Sequence, residues 1–134
     1  MKPIQAYITF FFVCITVVSS LGQGIKLNEW MVKNSTVLAD QDGEFSDWIE
    51  LYNSSSETIN LAGFGITDEE TNPYKWIFPS VEINANQFLL IYCSGKDLVG
   101  PELHTNFKLS GSDELVLTDA DGNTLSAYEL TGVS

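Results

Sequence analysis

The stretch DQDGEFSDWIELYN (residues 40–53) decides the fold, because an acid-rich front turns within it into a strand pattern. Successive side chains of a strand point to opposite faces of its sheet. In WIELYN (48–53), two aliphatic residues, Ile49 and Leu51, therefore share one face and the residues between them share the other. The second half of the stretch is predicted to be a core strand, and residues 40–47 are predicted to be the loop that leads into it.

The acidic front supports two hypotheses. Its carboxylates offer the hard oxygen ligands that calcium prefers, and Gly43 permits a sharp turn among them. The spacing D-x-D-G-x-x-x-D lacks the third ligand before the glycine and the later glutamate of an EF-hand. Asx-type turns on an exposed loop explain the same residues without a metal. The candidate calcium ligands are Asp40, Asp42, Glu44 and Asp47.

Two further acidic turns can likewise be read as calcium ligands or as Asx-type turns. They are Asp68-Glu69-Glu70 and Asp119-Ala120-Asp121-Gly122. If the fold brought them close to the first loop, the three together would strengthen the calcium hypothesis. Asx turns and solvated charge are the competing explanation for each of them. Apart from this calcium hypothesis, the sequence predicts no cofactor.

Nothing in the sequence assembles a catalytic site, and the chain is predicted not to be an enzyme. Asp47 and Glu50 lie three apart on a strand, so they point to opposite faces and do not make a glycosidase-type carboxylate pair. His104 is the single histidine, and a His-dependent nucleophile would need a matched serine or cysteine. Cys93 lies within the apolar run FLLIYC and is predicted to be a small buried side chain. No catalytic and no cofactor-binding residues are assigned.

Glu50 shares its face with Trp48 and Tyr52. If that face is covered, the carboxylate needs a hydrogen-bonding partner or a shifted pKa. We predict a structural setting, in which Glu50 lies against backbone N–H groups, a lysine or solvent.

The rest of the chain predicts a β-sandwich or a barrel, because short strand patterns alternate with Gly, Asn, Asp and Ser clusters. In QFLLIYC (87–93) both parities are apolar, so this strand is predicted to be covered on both faces. Asp121-Gly122 predicts a hairpin turn. The predicted strands are IKLNEW (25–30), WIELYN (48–53), TINLAGF (58–64), GIT (65–67), KWIFP (75–79), VEI (81–83), QFLLIYC (87–93), FKLS (107–110), ELVLTD (114–119) and TLSAYEL (124–130).

The N-terminus predicts export. Residues 1–22 combine a basic start, an uncharged apolar run and small residues at the end, which is typical of a signal peptide. A retained membrane anchor is the alternative, although the apolar run is short for a span. We therefore predict one mature domain over residues 23–134, secreted or at the cell surface or in the periplasm, with no membrane span. Its one cysteine, Cys93, excludes an internal disulfide.

The charge narrows the classes of partner. All 18 acidic residues and five lysines lie in residues 23–134, which contain no arginine, so the formal charge of this part is −13. Nucleic acid and anionic membranes are poor partners, because both demand a basic surface. The acidic surface of this chain is compatible with binding cations or basic proteins.

A set of short segments along the chain matches the pattern of a known family. In chain order they are LNE (27–29), NSTVLAD (34–40), DG (42–43), SDWIELYN (46–53), INLAG (59–63), ITD (66–68), KWIFP (75–79), SGK (94–96), LHTNFKLS (103–110) and LTD (117–119). In these segments the chain resembles the lamin-tail domain family in its secreted bacterial form. The resemblance implies an immunoglobulin-like β-sandwich that serves interaction or attachment without catalysis.

The predicted function is therefore an exported non-catalytic module that binds a protein or a polysaccharide or other cell-envelope component. One alternative is a calcium-assisted carbohydrate-binding module, for which the three tryptophans and five tyrosines could supply stacking rings. Most of these aromatics lie within strand patterns, which favours packing instead. The other alternative is an accessory domain of a truncated secreted hydrolase, with this chain as the front end of a longer protein.

Overall fold

The computed structural model describes residues 24–130, and these residues form strands and turns without a helix. The predicted signal peptide lies outside the described residues. The eleven strands are β1 (Ile25–Met31), β2 (Asp47–Asn53), β3 (Ile59–Asn60), β4 (Gly65–Thr67), β5 (Trp76–Ile77), β6 (Glu82–Ile83), β7 (Phe88–Cys93), β8 (Leu98–Val99), β9 (Leu103–His104), β10 (Glu114–Thr118) and β11 (Thr124–Glu129).

The strands form two main sheets, which confirms the predicted immunoglobulin-like β-sandwich. One sheet has the order β1-β2-β7-β9-β8 and the other the order β11-β10-β4-β5. A small sheet pairs β3 with β6. Neighbouring strands run antiparallel except β7 and β9, which run parallel.

Strand β2 lies between β1 and β7 and carries the alternation that its sequence predicts. Ile49 and Leu51 are fully buried in the core between the sheets. Asn53 ends the strand as a buried polar anchor, because its side-chain amide donates to the carbonyls of Glu57 (2.7 Å) and Ile83 (2.8 Å). The strand therefore joins the five-stranded sheet to the loop before β3 and to β6.

One part of the β7 prediction is wrong. The strand lies inside its sheet, and Ile91 and Cys93 are buried, but Phe88 at its start is 54% exposed. The outer face is covered near Tyr92, whose hydroxyl donates to the Ala39 carbonyl of the loop before β2. That coverage does not reach the start of β7, so only the second half of the strand is buried on both faces.

Short strands account for the other differences from the sequence-based expectation. Residues 107–110 form no strand and contribute a single bridge between Ser94 and Lys108. Strands β8 and β9, of two residues each, were not predicted. The predicted hairpin at Asp121-Gly122 is confirmed: it joins β10 to β11, and Gly122 adopts a φ of 90° that favours glycine.

Candidate functional site

The loop between β1 and β2, residues 32–46, is held in one conformation by Asn34. Its side-chain amide donates to the carbonyls of Leu38 (3.2 Å) and Ser46 (2.9 Å), and its side-chain oxygen accepts the Val37 amide (2.9 Å). The backbone amide of Asn34 donates to Asp47 Oδ1 (2.8 Å). Because Asn34 itself is buried, these bonds bring the two ends of the loop together.

This fixed loop exposes three large apolar side chains, which we call the loop patch: Val37, Leu38 and Phe45. The Asn34 side-chain nitrogen donates to both the Leu38 and the Ser46 carbonyls. The segment that contains Leu38 therefore lies beside the segment that contains Phe45. Leu38 has a φ of 55°, a conformation that costs a branched residue free energy unless its surroundings impose it. The loop thus holds an apolar side chain outward in a strained backbone.

The acidic front of the loop surrounds a lysine. Lys96 Nζ lies 2.7 Å from Asp40 Oδ2, 2.7 Å from Glu44 Oε2 and 3.2 Å from Asp42 Oδ2. Asp40 Oδ1 accepts the backbone amides of Asp42 and Glu44, which is the predicted Asx-type turn. One ammonium group therefore faces three of the four carboxylates that were candidate calcium ligands.

The electrostatics of this cluster favour the charged forms. Burial alone would raise the pKa of Asp40, but hydrogen bonds from Lys96 and from the Glu44 and Asp42 amides outweigh it and hold the pKa below its ordinary value. The hydrogen bonds of Lys96 to Asp40 and Glu44 raise the pKa of that ammonium. The cluster is thus a closed ion network at neutral pH.

Asp47, the fourth candidate ligand, caps the Asn34 amide instead. Within residues 24–130, no three His, Cys, Asp or Glu side chains are grouped in a way that could hold a metal ion. Calcium binding at this loop stays a prediction. Its physical condition is that the ion displaces the Lys96 ammonium group.

The other acidic turns have partners of their own. Asp68 pairs with Lys75 at 2.7 Å. Asp119 accepts the backbone amides of Asp121 (2.9 Å) and Asn123 (2.8 Å), and the Asn123 side-chain amide donates to it as well. The Asn123 bond is the largest cause that lowers the pKa of Asp119. Asp68 and Asp119 therefore each have a partner close by, and neither turn lies against the loop before β2 in any contact described above.

Glu50 has the structural setting that was predicted, with a partner that was not. It is half-buried on the outer face of β2, where Asn28 Nδ2 donates to its Oε1 at 2.8 Å. The register of β1 is shifted by a bulge at this position, which brings Asn28 close to the glutamate.

A buried serine–histidine pair lies beneath the loop and was missed by sequence reasoning. Ser94 Oγ and His104 Nδ1 are 2.9 Å apart, and His104 Nε2 is 3.6 Å from Glu102 Oε2. Strands β7 and β9 pair in parallel, with Tyr92 beside His104, and this pairing brings His104 close to Ser94, which follows β7. The sequence around Ser94 and the sequence around His104 give no sign of this contact. Glu102 Oε2 accepts the Gln41 amide of the loop at 2.9 Å, whereas His104 Nε2 has no hydrogen-bond partner among the described residues.

The geometry of this pair suits structure better than nucleophilic attack. Ser94 is 8% exposed and His104 is 1% exposed, so a substrate would have little access to the hydroxyl. The Ser94 oxygen also accepts the Lys96 amide at 3.2 Å. Cys93 beside it is buried as predicted, and burial raises the pKa of its thiol, which keeps the sulfur protonated.

Three further exposed apolar residues lie on edge strands of the two sheets, and we call them the edge patch: Ile77 on β5, and Leu98 and Val99 on β8. Strand β5 ends the four-stranded sheet and β8 ends the five-stranded sheet. Trp76 Nε1 donates to Asp97 Oδ1 at 3.0 Å and so joins the residues directly before Ile77 and Leu98.

An acidic groove of about 250 Å³ crosses the outer face of the four-stranded sheet and is lined by Glu70, Glu114 and Glu129 together with Tyr128. The charge of Glu70 is the largest cause that raises the pKa of Glu114. Like charges therefore repel in this groove at neutral pH.

The sequence matches the family model of the lamin tail domain over residues 19–132. No curated protein sequence matches the chain. Between residues 24 and 130 there is no helix with the length and hydropathy of a membrane span. The family consists of immunoglobulin-like domains without enzymatic activity, in agreement with the two-sheet sandwich described above. The chain belongs to the lamin tail domain family.

Proposed function

We propose that the protein is an exported, non-catalytic interaction module that binds a protein or a cell-envelope component. The observation that carries this proposal is the exposure of large apolar side chains on the loop before β2, the loop patch, and on the edge strands β5 and β8, the edge patch. Single exposed apolar residues are normal on protein surfaces, whereas grouped ones mark interaction sites.

The loop patch supports binding most strongly because it is preorganised. Asn34 fixes both ends of the loop, and Tyr92 and Lys96 hold its middle. A partner that docks on a fixed surface loses less conformational entropy than one that must order it. The positive φ of Leu38 is maintained by these contacts while the residue stays 49% exposed.

Charge supports a partner that is neither nucleic acid nor an anionic membrane. The chain carries a formal charge of −12, and two of its lysines, Lys75 and Lys96, already pair with carboxylates. Export is part of the proposal because of the N-terminal pattern of residues 1–22.

The test compares how well the unchanged protein and variants of the two patches capture a partner. The purified protein is immobilised and exposed to solubilised envelope and secreted fractions of its source organism. Three forms are compared: the unchanged protein, a loop-patch variant (V37S, L38S, F45S) and an edge-patch variant (I77S, L98S, V99S). We expect a component that the unchanged protein retains and one of the two variants loses. Equal retention by all three forms would refute the role of the patches.

A further inference from the structure

The outer face of the five-stranded sheet is covered at one end and open at the other. Trp48 and Tyr92 point outward, yet both are buried, and Tyr92 is bonded to the loop before β2. At the opposite end of the same strands, Tyr52 is half-buried and Phe88 is 54% exposed. We call this open end the face patch: Lys26, Asn28, Glu50, Tyr52, Asn86 and Phe88.

An aromatic row forms the centre of the face patch. Tyr52 is paired with Lys26 on β1 and with Phe88 on β7. The Tyr52 and Phe88 ring centroids are 4.6 Å apart at an interplanar angle of 29°, and Lys26 Nζ lies 5.4 Å from the Tyr52 centroid. Because Tyr52 has a neighbour on each side, Phe88 is the ring that remains available to a ligand.

Hydrogen-bonding groups border this row. Asn28 Nδ2 donates to Glu50 Oε1 at 2.8 Å, and the Tyr52 hydroxyl donates to Asn86 Oδ1 at 3.4 Å. Asn86 holds a φ of 59° in the turn before β7. A carboxylate accepts several hydrogen bonds and an amide both donates and accepts, so these groups keep capacity for further partners.

The charge and the exposed apolar area of the face patch indicate which class of ligand it binds. Lys26 and Glu50 are the charged members of the face patch, so its six residues carry no net formal charge, and Glu29, the register partner of Glu50, adds one negative charge at its border. Anionic ligands gain nothing from such a surface. The exposed apolar area, centred on one ring, is also small beside the roughly 800 Å² per partner of a stable protein interface.

We propose that the face patch binds a neutral polysaccharide. The Phe88 ring stacks against the C–H face of one sugar ring, and Glu50, Asn28 and Asn86 bind the hydroxyl groups. This inference rests on the proposed function, since it names one envelope component and one surface for it. It differs from the earlier sugar-stacking hypothesis, because Trp48 and Trp76 are buried and Trp30 packs against the core and Tyr128.

The test is sedimentation of the purified protein with insoluble cellulose, chitin and xylan, and with cell envelopes of the source organism. Phe88→Ala is compared with Tyr128→Ala, a matched control because Tyr128 also carries an aromatic ring, is 42% exposed on the other sheet and lies against a neighbouring aromatic ring, that of Trp30. We expect at least one neutral polysaccharide to bind the unchanged protein and the control, and F88A to bind it at least about tenfold more weakly. Glu50→Gln is expected to weaken the same binding, and thermal melting verifies that each variant is folded.

Three outcomes overturn the inference: none of the polysaccharides binds the unchanged protein, F88A binds as well as the control, or envelope binding disappears when the envelopes are treated with protease. The last outcome identifies a protein partner. Envelope binding that F88A leaves intact refutes the glycan site and preserves the proposed function. Absence of binding to polysaccharides and envelopes alike counts against both.

Discussion

At the scale of single residues, Asp40 shows how a carboxylate that looks like a metal ligand serves the fold. Its side chain is fully buried, faces Lys96 and accepts two backbone amides of its own turn. The network keeps the pKa of Asp40 below the ordinary 3.8. A carboxyl with a lowered folded pKa stabilises the native state above its unfolded pKa, and this stability is lost as the pH falls through the folded pKa.

We therefore predict that Asp40→Asn lowers the free energy of unfolding by about 1–3 kcal/mol at pH 7, because it leaves Lys96 without its most buried partner. The difference between the two proteins should shrink as the pH falls below 3.8. Thermal or urea unfolding between pH 7 and pH 2 measures it. A difference that stays constant over this range would show that the charge of Asp40 contributes nothing.

The pKa of Glu114 is shifted in the opposite direction to that of Asp40. The charge of Glu70 raises its pKa above the ordinary 4.5, so repulsion costs stability above that pH and disappears as the carboxyl is protonated. Glu70→Gln should raise the melting temperature at pH 7 and leave it unchanged at pH 3. Glu82→Gln, an exposed change outside the groove, is the control. Equal effects of both changes would remove the groove as the cause.

At the scale of elements, the loop before β2 depends on one amide side chain. Asn34→Ala removes three side-chain hydrogen bonds and leaves the Leu38 and Ser46 carbonyls to find other partners. We expect a loss of about 1–3 kcal/mol of stability and faster proteolytic cleavage within residues 35–45. Limited proteolysis with mass spectrometry locates the cuts. Cleavage at the wild-type rate would contradict the role of Asn34.

The response to calcium gives a second test of the same loop. Lys96→Met keeps the length of the side chain and removes the ammonium group that faces the three carboxylates. If calcium binds there, it must displace Lys96, so millimolar calcium should raise the melting temperature of K96M more than that of the wild type. Equal shifts in the two proteins would place any calcium elsewhere.

How far the sequence predicts these elements depends on the range of the contacts. The alternation of Ile49 and Leu51 is local, and it predicts the core face of β2 correctly. Lys96 meets Asp40 across 56 positions of the chain, and Ser94 meets His104 through a parallel pairing, so neither contact leaves a local pattern. The exposure of Phe88 depends on where a distant loop ends its coverage of the sheet, which the apolar run FLLIYC does not reveal.

At the scale of the whole molecule, a two-sheet sandwich buries an ordinary apolar core and presents distinct surfaces around it. The loop patch and the edge patch are apolar, the face patch is mixed, and the groove on the other sheet is acidic. The binding role proposed above rests on the loop patch, the edge patch and the face patch. The lamin tail domain family, to which the chain belongs, consists of non-enzymatic domains, which agrees with that proposal.

The most direct test of this account is a binding isotherm for the purified protein and isolated envelopes of its source organism, measured beside the loop-patch, edge-patch and F88A variants. We predict saturable binding by the wild type and a loss of at least about tenfold in affinity for one variant, with melting temperatures that show all four proteins folded. Absence of saturable binding by the wild type, or the same affinity in all four, would contradict the account.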